Sequence, residues 1–167
     1  MNAGAYGGEM AQVITRVRVI RQDLTCAWLA AEEMRYGYRR SAALAERMIV
    51  TEAEMTLCAG RQEDIFARMR ELAQRRREKQ PLTLPSAGST FKRPEGHFAA
   101  RLIEDAGLRG LRVGGAQVSE KHTGFIVNTG SATARDVLEL MEAVRARVFK
   151  RFGVWLEPEV RILGEDA

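Results

Sequence analysis

The sequence predicts an α+β fold, on three observations. Residues 12–20 alternate with the period of a strand, Val13, Thr15, Val17 and Val19 on one face and Arg16 and Arg18 on the other. Over residues 62–79, Ile65, Met69 and Leu72 recur every three or four positions, and Phe66 and Ala73 widen the stripe. Thr133 and Asp136 stand in capping-box spacing ahead of Val137, Leu138, Met141, Val144 and Val148, the expected buried face of another helix. Strands and helices mix without strict β-α-β alternation, which argues against a regular parallel α/β sheet.

Taken in order, residues 1–4 show neither a period nor a cap. Asp23-Leu24-Thr25 reads as a turn. Residues 28–33 are expected to form a helical turn. Residues 47–57 are β-prone through Met48, Val50, Met55 and Leu57, until Gly60 breaks the run. The helix over 62–79 ends in Arg75-Arg76-Arg77-Glu78-Lys79, cations suited to a helix C-terminus, and Pro81 stops it. Pro85-Ser86-Ala87-Gly88-Ser89-Thr90-Phe91-Lys92-Arg93-Pro94 is expected as a rigid loop that presents a hydroxyl beside cations. A second helix is expected over 96–106, with Phe98, Leu102, Ile103 and Ala106 as its stripe and Gly107 as its stop. Residues 111–128 read as two short strands around Ser119-Glu120-Lys121-His122, the second centred on Phe125-Ile126-Val127. Gly153 ends the third helix, and residues 154–163 are expected as a closing strand.

Composition bounds the function. The chain has 167 residues, 46% of them hydrophobic, enough for a packed core. A net charge of +4 suits an anionic ligand, and nucleic acid is a rival on charge alone. A basic nucleotide- or nucleic-acid-binding module without catalysis is therefore the alternative. Aromatics are only 7% and do not interleave with the basic residues, as stacking on single strands would require. Cys26 and Cys58 have no paired spacing and no nearby histidine, so no metal site is expected. Both are expected as reduced core thiols of a cytoplasmic protein. No apolar run approaches the roughly 20 residues of a membrane helix, and the first residues lack the pattern of a secretory leader.

Five blocks then carry a resemblance. Residues 85–94 have the wording Pro-Ser-Ala-Gly-Ser-Thr-Phe-Lys-Arg-Pro, and Tyr36-Gly37-Tyr38-Arg39-Arg40-Ser41 precedes them. Gly114-Gly115-Ala116-Gln117-Val118-Ser119 and Leu156-Glu157-Pro158-Glu159-Val160 follow. The start, Met1-Asn2-Ala3-Gly4-Ala5-Tyr6-Gly7-Gly8, is the fifth. In this order they resemble the UDP-N-acetylenolpyruvoylglucosamine reductase family, flavoenzymes of peptidoglycan precursor synthesis, in the form that lacks an extra tyrosine-bearing loop.

The resemblance implies two parts: residues 1–80 as the C-terminal end of a flavin-binding region, and residues 81–167 as a substrate-binding domain. A native chain would then carry a further flavin-binding lobe, with its phosphate-cradling glycine loop, before Met1. It implies FAD as cofactor, with a site incomplete here, and NADPH as co-substrate in the reduction of an enolpyruvyl ether. Asn2, Gly4, Ala5 and Tyr6 are then the cofactor-binding positions. Arg39 pairs with the substrate carboxylate, as a planar guanidinium does, with Tyr38 beside it. Ser89 supplies the proton to the substrate carbon. Glu159 is the third catalytic position, either protonated or sharing a proton with the substrate carboxylate. Lys92, Arg93 and Arg109 are the candidates for the diphosphate. His122 falls near where the family meets the nucleotide, and as a lone histidine it reads equally well as a surface residue. The partner is a UDP-sugar, with neither nucleic acid nor membrane expected, and the chain is expected to be a monomer.

Overall fold

The computed structural model describes residues 1–164 and divides into two compact units, Met1–Leu72 and Ala73–Ala167. The first unit opens on a hairpin of β1 (Gly4–Ala5) and β2 (Gly8–Glu9), where the sequence shows no period. Its turn residues Tyr6 and Gly7 both take positive φ, 52° and 84°, the geometry of the tightest hairpin turns. After a 3-10 turn (Met10–Gln12), β3 (Ile14–Ile20) forms the centre of an antiparallel sheet ordered β4-β3-β5. Its neighbours are β4 (Cys26–Ala30) and β5 (Ile49–Met55).

The predicted alternation of β3 needs one correction. A register shift between Ile14 and Arg16 turns Ile14 inward beside buried Val17 and Val19 and leaves Thr15 outside. The Thr15 hydroxyl donates to Glu54 Oε1 at 3.0 Å. Arg16 and Arg18 meet Glu54 and Glu52 across the strands at 2.7 and 2.5 Å. Such half-exposed pairs contribute only about 0–1 kcal/mol each. Their larger effect is to favour this register over one that apposes like charges.

The helical turn expected over 28–33 starts later: residues 31–35 form a turn, in which the Glu33 N–H donates to the Ala30 carbonyl at 3.1 Å and the Met34 N–H to the same oxygen at 3.3 Å. Residues 26–30 pair with β3 from Ile20↔Cys26 to Arg16↔Ala30. The cause is the preceding turn, where Asp23 Oδ1 accepts from the Thr25 N–H and hydroxyl at 3.0 and 2.6 Å and sends the chain straight back. Cys26 and Cys58 are both exposed, contrary to the expected core thiols. The first opens β4 on its outer side, and the second lies between β5 and α2. Short α1 (Ala42–Ala45) follows the 36–41 motif. Helix α2 (Gln62–Lys79) has the predicted bounds, yet Ile65, Phe66 and Met69 are 47%, 46% and 59% exposed. Periodicity made the helix; burial needs a covering neighbour, which the described residues do not supply.

The second unit is an antiparallel sheet of order β6-β9-β8-β7, with two helices. The strands are β6 (Ser86–Ser89), β7 (Arg112–Val113), β8 (Ala116–Val118) and β9 (Phe125–Asn128). The helices are α3 (Ala99–Asp105) and α4 (Ala134–Phe152). Ile103, Val118, Leu140, Val144, Val148 and Leu156 are fully buried between these layers. Each contributes about 1.5–3 kcal/mol through apolar burial. The capping box is present: Thr133 Oγ1 accepts from the Asp136 N–H at 3.1 Å, and the Asp136 carboxylate accepts from the Thr133 N–H at 3.0 Å. Gly153 closes α4 at φ 69°.

Four expectations change here. Residues 86–89 form an edge strand rather than a loop. Helix α3 begins at Ala99, with Phe98 exposed at its N-cap. Residues 111–128 hold three strands rather than two, because Gly114 and Gly115 make a tight turn between β7 and β8. A Cβ on Gly115 would stand 2.3 Å from the Ala132 nitrogen, so no larger residue fits. Residues 154–163 form no strand. Leu156 is committed to the core, and Pro158, which has no N–H to donate, limits pairing to a single bridge with Phe91.

Candidate active site

In the second unit the serine segment and the C-terminal segment are joined by main-chain bonds. Between the pairs Ser86↔Val127 and Ser89↔Phe125, β6 has one residue more than β9. The extra residue is a bulge around Gly88, whose φ is +87°. Bulges re-aim the side chains that flank them, and Ser89 is exposed at this one. The next residue turns inward. Thr90 is buried, its hydroxyl oxygen accepts from the Ile126 N–H at 3.0 Å, and its N–H donates to the Gly124 carbonyl at 2.9 Å.

Glu159 arrives against this strand. Its N–H donates to the Thr90 carbonyl at 2.9 Å, and the Lys92 N–H donates to the Glu157 carbonyl at 2.8 Å. The ammonium of Lys92 also pairs with the Glu157 carboxylate. From the helix side, Arg145 Nε donates to the Leu156 carbonyl at 2.9 Å, and its guanidinium lies 4.4 Å from the centre of the Trp155 ring. Ser89 and Glu159 are thus brought to neighbouring positions of one short antiparallel pairing. The sequence reading missed Thr90 and Arg145, which hold this arrangement. Thr90 carried a signal in its place, one step inward from an outward serine on a strand.

The candidate diphosphate cations already have protein partners. Arg93 stacks 4.0 Å over the Phe98 ring and donates to the His97 carbonyl at 3.3 Å. Arg109, in the turn after α3, reaches Glu104 at 2.7 Å and also the Glu120 carbonyl. His122 lies in the β8–β9 turn, half-buried, edge-on to Phe125 at 5.0 Å. Burial pushes its imidazolium below the ordinary range, and Arg109 adds to this while Glu104 opposes it.

In the first unit, Gly37 and Arg40 exchange two backbone bonds of 3.2 Å, which leaves Tyr38 and Arg39 at the tip of a tight turn. Arg39 takes φ +55°, unusual for a side chain of its size, and lies 5.0 Å from the Tyr38 ring centre. Ser41 Oγ is buried with no hydrogen-bond partner among the described residues. Asn2 is buried and accepts from the Ala11 N–H at 2.9 Å, tying down the β1–β2 hairpin, with Tyr6 exposed at its tip. No cluster with metal-ligand character occurs among the described residues, nor a helix long and apolar enough to cross a membrane.

A hydroxyl and a carboxyl set on one short strand pairing of the second unit are groups that an enzyme can use to move a proton. Residues 80–163 match the family described as UDP-N-acetylenolpyruvoylglucosamine reductase, C-terminal domain. The chain belongs to the UDP-N-acetylenolpyruvoylglucosamine reductase family. It is 56% identical to the reductase of that name from Lachnoclostridium phytofermentans over 99% of its own length and 53% of the relative's. It is 53% identical to that of Syntrophomonas wolfei, over 99% and 56%. The crystal structure of UDP-N-acetylenolpyruvylglucosamine reductase from Thermus caldophilus superposes with a TM-score of 0.81 at 42% identity, over 95% of this chain and 57% of that one. The chain spans about half the length of the relatives it matches.

Proposed function

We propose that this chain supplies the substrate-protonating half of a UDP-N-acetylenolpyruvoylglucosamine reductase. The observation that carries the reading is the Thr90–Glu159 pairing, which sets the carboxyl segment against the strand of Ser89. FAD, when bound and reduced by NADPH, supplies hydride to the enolpyruvyl double bond. The β1–β2 hairpin fits the edge of a flat ring: Gly4 and Gly8 present bare backbone, Tyr6 is exposed, and Asn2 anchors the hairpin from within. Gly4, Ala5 and Tyr6 would meet the ring, with Asn2 behind them.

This chain's own residues have three tasks. Arg39 pairs with the substrate carboxylate, where negative charge develops, and its fork matches both oxygens. The tight turn sets the backbone from which that guanidinium projects. Ser89 gives its hydroxyl proton to the carbon next to the carboxylate. Glu159, held by Thr90, shares a proton with the same carboxylate group. Lys92, Arg93 and Arg109 offer charge to a diphosphate, with His122 as a further contact. Because Lys92 and Arg109 pair with Glu157 and Glu104, a diphosphate must outcompete those carboxylates. Weak, salt-sensitive binding follows. We further propose that residues 1–80 and 81–167 are the functional divisions, that the protein is cytoplasmic, and that it acts as a monomer without nucleic acid or membrane partners.

Titration calorimetry of this chain against UDP-N-acetylglucosamine and against a short oligonucleotide, at two salt concentrations, tests the reading. The sugar nucleotide should bind and the oligonucleotide should not. Arg109→Ala should weaken sugar-nucleotide binding by about 1–3 kcal/mol, the scale of a hydrogen bond to a charged group. Oligonucleotide binding with no sugar-nucleotide binding would overturn it.

A further inference from the structure

The β8–β9 turn contains a chain of hydrogen bonds that ends at the serine strand. His122 Nδ1 accepts from the Gly124 N–H at 3.1 Å. The carbonyl of Gly124 accepts from the Thr90 N–H at 2.9 Å, and that N–H belongs to the peptide joining Ser89 to Thr90. The Thr90 carbonyl accepts in turn from the Glu159 N–H at 2.9 Å. One imidazole therefore holds the peptide entering Gly124, and the contacts continue residue by residue, through the backbones of Gly124 and Thr90, to the strand of Ser89 and to Glu159. The ring is close: a Cβ on residue 124 would lie 3.0 Å from His122 Cε1 and 3.1 Å from Nδ1, so a larger residue would press the imidazole aside.

We propose that His122 is a positioning residue, whose neutral ring, with its proton on Nε2, fixes the backbone at Gly124 and through that residue the Ser89–Thr90 strand and Glu159. Only a neutral imidazole offers Nδ1 as an acceptor; the imidazolium presents N–H groups on both sides and repels the Gly124 N–H. Protonation of one ring then loosens the strand. Around the ring, Glu104 of α3 favours the charged form and Arg109 opposes it. Phe125 of β9 and Ala100 of α3 bring no charge. In its own turn, the Glu120 carboxylate faces Gln117 Nε2 at 3.4 Å, and Lys121 Nζ donates to the Arg77 carbonyl at 2.5 Å. Burial, the largest influence, lowers the pKa of the ring, against a hydrogen bond to its own backbone that raises it.

The functional consequence rests on the assignment of Ser89 and Glu159 above. The positioning itself does not, and it is read on the free chain. Amide spectra of the ¹⁵N-labelled, ligand-free protein are recorded between pH 7.5 and 5, with the ring nitrogens of His122 followed in parallel. The Gly124, Thr90 and Glu159 amides should titrate with the midpoint of His122, below the ordinary value of about 6.5. Solvent-exchange protection of Thr90 should fall roughly fivefold across that midpoint, the scale of one lost hydrogen bond. His122→Asn places Oδ1 where Nδ1 stands, so it should keep the protection and abolish the pH step. His122→Ala should lack the protection at every pH, and His97→Gln should leave the step intact. If His122→Ala does not fold, the native titration and His122→Asn decide. Thr90 and Glu159 amides that ignore the His122 titration, or a step removed by His97→Gln, would overturn the proposal. These amides report on His122 whether or not the reductase assignment holds, so the two fail separately.

Discussion

The backbone N–H of Glu159 donates to the carbonyl of Thr90 at 2.9 Å, across 68 intervening positions. This bond joins two motifs of the second unit, residues 85–94 and 156–160. Thr90 is its keystone, because its side chain also accepts from the Ile126 N–H. Thr90→Val preserves shape and leaves that buried donor unsatisfied. The substitution should lower the unfolding free energy by about 1–3 kcal/mol, and Thr90→Ser should recover most of it. Urea denaturation of the two variants provides the comparison. Equal stability of Thr90→Val and the parent would remove Thr90 from this role.

Helix α4 begins with a capping box, so Thr133→Ala should destabilise the chain by about 1 kcal/mol. Asp136 adds a pH dependence. The Thr133 N–H, then the Gly115 N–H, hold its carboxyl below the ordinary carboxylate range. Its contribution is therefore present above the unfolded value, near 3.9, and is lost as pH falls through the lower folded value. Thermal unfolding of Asp136→Asn should lie below the parent at pH 6, with the gap closing below about pH 4. A gap that widens toward acid would contradict the sign.

Arg39 pairs a functional group with a backbone that glycine would hold more easily. Arg39→Gly removes left-handed strain and adds unfolded-state freedom, effects of opposite sign near 1 kcal/mol each. The variant should stay within about 1 kcal/mol of the parent in stability. A loss well beyond 2 kcal/mol in a denaturation curve would make Arg39 a structural residue first.

Much of this was legible in the sequence. The alternation of residues 12–20 gave β3, the stripe over 62–79 gave both ends of α2, and Thr133 with Asp136 gave the start of α4. What escaped was non-local. Residues 28–30 look helical until the Asp23 turn folds them onto β3, which leaves the turn to residues 31–35. Residues 154–163 look like a strand until Leu156 is drawn into the core and Pro158 interrupts the pairing. The α2 stripe reads as a buried face, yet periodicity alone cannot supply a neighbour to cover it. The wording of the motifs named Ser89, Arg39 and Glu159 as candidates. Thr90 and Arg145, which hold the segments of Ser89 and Glu159, became visible only through bonds that cross the second unit.

The proton-donor assignment is tested most directly by separating two half-reactions. The measurement requires a full-length enzyme, made by fusing this chain to the N-terminal half of a relative. Stopped-flow absorbance then follows flavin reduction by NADPH and, separately, reoxidation by the enolpyruvyl substrate. Ser89→Ala should leave the first nearly unchanged and slow the second by roughly 10²–10⁴-fold, the range for loss of a positioned general acid. Ser86→Ala, on the same strand, should slow neither. If Ser89→Ala slowed only the NADPH step, or if Ser86→Ala were the more damaging change, Ser89 would not be the residue that delivers the proton.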